Sequence, residues 1–132
     1  MVVKLRQIRS RNSVDLAVDA TIIYDIRYDP MVKELFQSAW VSWVDHVNWF
    51  RKNHQQFQII TDRGEAIGYV RTQPGGYIGI GINNSCRSRG IATKILKEIK
   101  GRAIIMMENK ASLSAFKKAG WTLKGYYLEK EE

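Results

Sequence analysis

The spacing of hydrophobic and polar residues changes several times along the chain, and each change predicts an element. Val2 to Ile8 alternates loosely and predicts a first strand. Asn12 or Ser13 is a suitable cap for a helix running irregularly toward Tyr28, although the segment TIIYDI within it is equally strand-like. Asp29 followed by Pro30 predicts a cap and a first helical position, opening a short helix through Phe36 with Met31 and Leu35 on one face. Ser42, with Asp45 three residues on, resembles a capping box and opens a helix to about Asn53. Its expected core stripe is Trp43, Val47 and Phe50, with His46 on a different face beside Trp49. From Gln56 the period becomes two: FQIITD, AIGYVRT and YIGIGIN, separated by Asp62-Arg63-Gly64 and Pro74-Gly75-Gly76, predict three antiparallel strands in a meander.

The helical period then returns, with Ile91, Ile95, Leu96 and Ile99 on one face and Gly101 as the expected end. Ala103 to Met107 reads as a buried strand, Ala111 to Ala119 as a helix, Gly120 as a left-handed cap and Trp121 to Leu128 as a last strand. The order predicts a mixed sheet with helices packed on it.

Length and composition narrow the class. At 132 residues, 45% hydrophobic and 26% charged, the expectation is a single globular domain over 1–132, neither disordered nor multidomain. No apolar run approaches the ~20 residues of a spanning helix. The start MVVKLRQIRS has three basic residues with no apolar block behind them, so a cytoplasmic, unprocessed protein away from membranes is expected. One cysteine, Cys86, and two histidines make a disulfide or metal scaffold unexpected. Charge is uneven: residues 1–86 carry ten Lys/Arg against eight Asp/Glu, and 87–132 carry eleven against five. Arg87 to Arg102 holds six cations and one acid, which suits the docking of something anionic.

Candidate chemistry sits at the start of that basic stretch. There a predicted strand passes through a short loop into a helix whose first turn contains Arg87, Ser88, Arg89, Gly90, Ile91, Ala92 and Thr93. A helix N-terminus presents unpaired N–H groups and the positive end of its dipole, which together suit a pyrophosphate. Gly90 lets that backbone approach closely, Ala92 keeps the next turn small, and Arg87 and Arg89 offer charge-assisted contacts. The pattern Arg-x-x-Gly-x-Ala resembles the acetyl-CoA signature of the GNAT N-acetyltransferase superfamily. A second segment, from Asn109 through Ser112 and Phe116 to Gly120-Trp121, is similar to that family's last-helix pattern, in the right order and separated by a helix and a strand.

The resemblance spans about Gln56 to Tyr127. It implies an α/β (α+β) fold of GNAT type: a mixed, mostly antiparallel twisted sheet with helices on both faces, splayed between the fourth and fifth strands. It also implies acetyl-CoA as acetyl donor, with the pantetheine arm pairing with Ile80, Gly81 and Ile82, and Asn109, Ser112 and Phe116 facing it. Phe116 departs from the family pattern, where many relatives carry a tyrosine whose hydroxyl protonates the departing thiolate. A water, Ser112, Tyr77 or Tyr126 are the candidate substitutes. A thiol of pKa near ~8.5 leaves readily, and proximity supplies much of the rate. His46 is the candidate base for the acceptor amine, since imidazole titrates near ~6.5. Cys86 adjoins the phosphate loop rather than a base, which suits an acyl-cysteine route poorly.

For the acceptor, Arg27-Tyr28-Asp29-Pro30-Met31-Val32 followed by Asp45-His46 and Trp49 resembles GNAT enzymes acting on nucleotide-linked amino sugars, with Tyr28 for the usual Asn and Asp45 for the usual Glu. Arg27, Arg71, Trp40 and Trp49 are then candidate contacts to phosphate and base, with His46 a candidate substrate contact beside them. The expected partner is a small-molecule amine of that type. A peptide or ribosomal-protein amine is the alternative within the class, and a homodimer would supply a missing wall. Outside the class stand a basic nucleic-acid-binding domain and a CoA-binding domain without catalysis. No stacking aromatics interleave with the basic cluster, which counts against nucleic acid.

Overall fold

The computed structural model of the chain describes residues 1–29 and 41–131. The short helix expected from Pro30 to Phe36, and Trp40, lie outside the described residues. Four strands form one antiparallel sheet in the order of the sequence: β1 (Val3–Gln7), β2 (Phe57–Asp62), β3 (Glu65–Gln73) and β4 (Tyr77–Ile82). The turn between β2 and β3 places Arg63 and Gly64 at φ of 52° and 83°, the two-residue geometry that matches strand twist. Between β2 and β3 the register slips, Ile60 facing Gly68 and Thr61 facing Ala66, so Ile67 is an extra residue in β3. The bulge sends Ile67 to the face opposite Tyr69, and each side of the sheet acquires its own core.

One face is covered by α1 (Ser13–Arg27) and α2 (Trp43–Asn53), which bury Ala20, Ile23, Ile26, Val47 and Phe50 against Phe57, Ile59 and Tyr69. Asn12 caps α1 by accepting from the Asp15 N–H, and Ser42 caps α2 by accepting from Asp45, which settles the ambiguous first segment as helix. The other face carries α3 (Ile91–Glu98), whose Ile91 and Ile95 pack on Ile60, Ile67, Val70 and Ile78. α4 (Lys110–Lys118) packs on α3. Helices therefore lie on both faces of a mostly antiparallel sheet, as expected.

Beneath α1, the Asp19 carboxylate is wholly buried and receives Arg6 at 3.0 Å and Arg9 at 2.8 Å, tying β1 and the following loop to the helix. Burial alone would raise the Asp19 carboxyl, but hydrogen bonds from both side chains and the Arg9 N–H outweigh it and hold the group below its ordinary 3.8.

Three expectations are corrected. The inward stripe of α2 is His46, Val47 and Phe50, while Trp43 is 43% exposed. His46 holds its inward place because Nε2 donates to the Ala20 carbonyl at 3.0 Å, which satisfies a polar ring among the aromatic rings of Tyr24, Tyr28, Trp49 and Phe50. Residues 103–107 and 121–128 form no ladder among the described residues. The chain touches β4 in parallel fashion only at Tyr77 and Arg102, through Ile78 N–H to Arg102 carbonyl at 2.6 Å and Arg102 N–H to Gly76 carbonyl at 2.9 Å, and then departs from it. Among the described residues the tail therefore pairs with no strand, and Tyr126 and Leu128 are each 88% exposed. Third, α3 stops at Glu98, ahead of Gly101. Gly101 serves the contact with β4 instead: a Cβ there would lie 2.5 Å from the Gly76 carbonyl oxygen.

α4 ends as expected at Gly120, with φ +93°. Trp121 N–H bonds the Phe116 carbonyl and Gly120 N–H the Lys117 carbonyl, each at 3.0 Å, while the Trp121 ring meets the Phe116 ring edge-on at 4.8 Å. That is a Schellman closure with its hydrophobic contact, and it fixes the position of Phe116.

Candidate active site

The departure of the chain from β4 after Arg102 opens a cleft along the free edge of that strand. On one side it forms a cavity of about 350 Å³ between Ile78, Gly79 and Ile80 and residues 103–106, closed by Arg27, Tyr69 and Arg71. On the other it forms a cavity of about 530 Å³ between Ile80 and Ile82 and the start of α3. Ile80, Asn109 and Ser112 line both. The two chambers therefore meet at one point, where a group held in one can reach a group held in the other.

The larger chamber has the properties of an anion cradle. α1, α2 and α4 each begin with a side chain capping the first turn, from Asn12, Ser42 and Asn109, whereas α3 begins at Gly90 with no side-chain cap. The first N–H groups of α3 have no intrahelical acceptors, and they face a chamber lined by Arg87, Ser88, Gly90, Ala92 and Thr93. Gly90 sits at φ +74°, and a Cβ on it would meet nothing within 4 Å, so the space ahead of the helix is open. Ser88 also takes a positive φ of 67°, strain of a kind that concentrates at binding loops. Arg87 Nε is buried without a hydrogen-bond partner among the described residues. These features suit a pyrophosphate, and Ile80 and Ile82 line the same chamber. Arg89 is exposed and lines neither chamber, and Ile91 contributes from the buried face of α3. Gly81 lies buried between Ile80 and Ile82.

Asn109 combines two duties, since its Oδ1 accepts from the Ser112 N–H at 3.2 Å as the cap of α4 while the residue lines both chambers. Ser112 and Phe116, one turn apart, face the cleft together. In the smaller chamber the structure unites Arg27, at the end of α1, with Arg71, on β3. Both guanidinium groups lie over the Trp49 ring, 5.9 and 4.9 Å from its centre, and Arg71 Nε donates to Gln56 Oε1 at 2.9 Å. Burial, with the Arg27 charge adding to it, pushes the Arg71 guanidinium below its usual range. Trp49 thus lies under the arginines and does not line the chamber.

His46 is not brought to the cleft: it is 2% exposed, lines neither chamber, and burial together with the Arg27 charge holds it below its ordinary 6.5 against a smaller raising effect of the Ala20 bond. Tyr77 lines the smaller chamber, whereas Tyr126 lies in the exposed tail. Tyr69 and Gln73, absent from the sequence reading, line it as well. Tyr69 is hidden in sequence because its place in an alternating strand is that of an ordinary core residue.

Residues 20–121 match the Acetyltransferase (GNAT) family. The chain belongs to that family. It is accordingly an acyltransferase whose acetyl donor is acetyl-CoA. No curated protein matches it by sequence. Among solved structures it is similar to a GNAT-family acetyltransferase from Bacillus anthracis, at 17% identity and a TM-score of 0.76, covering 96% of this chain and 84% of that one. AAC(6')-Ib in complex with ribostamycin and coenzyme A is 18% identical with a TM-score of 0.70, covering 95% and 86%. The microcin C7 self-immunity acetyltransferase MccE, in complex with acetyl-CoA and AMP, is 15% identical with a TM-score of 0.66, covering 94% and 81%. These likenesses carry the fold. Among the described residues, no group of His, Cys, Asp and Glu is arranged to hold a metal, and no helix is long and apolar enough to cross a membrane.

Proposed function

We propose that this GNAT acetyltransferase transfers acetyl from acetyl-CoA to the primary amine of a small anionic molecule by direct attack, with an amino-sugar nucleotide as the acceptor. The carrying observation is the pair Arg27 and Arg71, held together over Trp49 on the acceptor side of the cleft. Two guanidinium groups brought together at the cost of desolvation match a phosphate or carboxylate in bidentate fashion. The same pair repels a polycation, so a neighbour bound to ribostamycin does not set the acceptor here; fold alone does not fix substrate. A chamber of about 350 Å³ suits an amine-bearing sugar with its first phosphate better than a folded protein segment.

The donor supplies an activated thioester when bound. The α3 N-terminus with Arg87 would hold its phosphates and Ile80 and Ile82 would border its arm, while Asn109 and Ser112, which line both chambers, would stand between the donor and the amine. Such placement converts a bimolecular reaction into a near-unimolecular one. The amine attacks only when neutral, and with His46 in the core its proton leaves through water in the open chamber. The rate therefore rises with pH through the acceptor's own pKa, without an imidazole limb.

The test is thiol release from acetyl-CoA across a panel of amino-sugar nucleotides, peptide α-amines and aminoglycosides. Turnover confined to the anionic amines is expected. Preference for peptides or for aminoglycosides would overturn the acceptor assignment.

A further inference from the structure

Among the described residues two phenols from the sheet line the smaller chamber, the exposed Tyr77 and the buried Tyr69. Tyr69 lies on β3 directly opposite Gly81 on β4, and its ring is laid across that glycine. A Cβ at Gly81 would lie 2.8 Å from Tyr69 Cζ and 3.0 Å from its hydroxyl oxygen. A tyrosine side chain is longer than the ~4.8 Å spacing of paired strands. Its ring end and hydroxyl therefore lie over Gly81, on the strand that borders the cleft. There Tyr69 lines the same chamber as Asn109, Ser112 and Phe116. The ring is fixed by Phe57 at 5.8 Å, and the residue is 3% exposed.

We infer that the Tyr69 hydroxyl donates a hydrogen bond to the thioester oxygen of acetyl-CoA as that oxygen becomes an oxyanion, supplying from β3 a polar group that Phe116 does not supply from α4. The inference rests on the acetyltransferase reading of the cleft. In the step concerned, the amine nitrogen bonds to the carbonyl carbon and the C=O pair moves onto oxygen. On collapse the C–S bond breaks, its electron pair leaves with sulfur, and the proton from nitrogen passes through water to the thiolate. Tyr69 keeps its proton throughout. That role agrees with its surroundings: burial pushes the phenol up to about 12, against the opposing charges of Arg27 and Arg71, so it stays neutral. A donor that does not surrender its proton suits an oxyanion, whereas protonating a thiolate of pKa near ~8.5 would be uphill.

Tyr69→Phe removes the hydroxyl alone and leaves the ring on Gly81 and Phe57. The readout is the infrared band of acetyl-CoA labelled with carbon-13 at the thioester carbonyl, bound to wild type and variant, together with kcat. The expected result is a lower carbonyl frequency on wild type than on the variant, a kcat reduced about 10²-fold, and an unchanged dissociation constant for acetyl-CoA. Equal frequencies and equal kcat, with acetyl-CoA bound to both, would overturn the Tyr69 assignment and leave the acetyltransferase reading intact. Failure of acetyl-CoA to bind wild type would overturn both. A fluorotyrosine at position 69 retains the ring and hydroxyl while strengthening the donor, and should lower the band further; no change in the band would count against the assignment even if Tyr69→Phe proved unstable.

Discussion

Replacing Gly90 by glutamate separates the backbone's cost from the ligand's. In the free protein the new Cβ meets nothing within 4 Å, so packing is not disturbed. What is paid is the left-handed backbone at φ +74°, about 1–2 kcal/mol for a residue with a Cβ. A carboxylate at the start of α3 returns about 0.5 kcal/mol of that through the helix dipole. The net loss of about 1 kcal/mol corresponds to a fall in Tm of about 3–5 °C for a domain of this size. The effect on the ligand is larger. A carboxylate about 5 Å from a phosphate at an effective dielectric of about 20 is repelled by about 3 kcal/mol, or roughly 10²-fold in affinity. Gly120→Ala is the control, since Gly120 also has positive φ, +93°, and open space around it, but it lines neither chamber. Calorimetric titration with acetyl-CoA, alongside thermal melts, reads both quantities. The expectation is a similar loss of Tm in the two variants, with affinity lost only in Gly90→Glu. A folded Gly90→Glu protein with wild-type affinity would refute the assignment of the phosphate cradle.

Arg71→Met keeps an unbranched side chain over Trp49 but removes the charge. It should raise KM for an anionic acceptor about 10- to 100-fold, the worth of charge-assisted bonds of about 1.5–3 kcal/mol, with no change in acetyl-CoA binding by calorimetry. Stability should decline with acid in two stages, followed by urea denaturation at a series of pH values. His46 sits below its ordinary 6.5 in the folded chain, so its contribution is complete above that value and is lost as pH falls through the folded one. Asp19 follows the same sign at lower pH, its contribution complete above 3.8 and lost on further acidification. Asp19→Asn should cost about 3 kcal/mol at neutral pH, the lower end of the range for breaking a buried pair, because Arg6 and Arg9 remain partly in water.

The meander and both motif-bearing turns were legible because each depends on neighbours in sequence: alternation for β2 to β4, a Gly90 turn before an apolar stripe, and an Asn109 cap with its Gly120 closure. Residues 103–107 and 121–128 misled because an apolar run specifies burial and not a hydrogen-bonding partner. Only the divergence after Arg102 shows that the ladder does not form, and that divergence creates the cleft. His46 misled for a related reason. On a helix, positions 43 and 46 both neighbour Val47 and Phe50 closely enough to complete the stripe, and the carbonyl of Ala20 that lets a histidine be buried belongs to another element. Arg27 and Arg71, 44 positions apart in sequence, were recoverable only as cations of suitable chemistry until α1 and β3 brought them over one indole.

The most direct test of the account is a thermal-shift titration with acetyl-CoA. Saturation at ~100 times the dissociation constant should add about 2.7 kcal/mol to stability, with a clear rise in Tm that is lost in Gly90→Glu. No rise at saturating acetyl-CoA would contradict the assignment of the larger chamber to the acetyl donor, and with it the reading of the cleft as the place where acetyl is transferred.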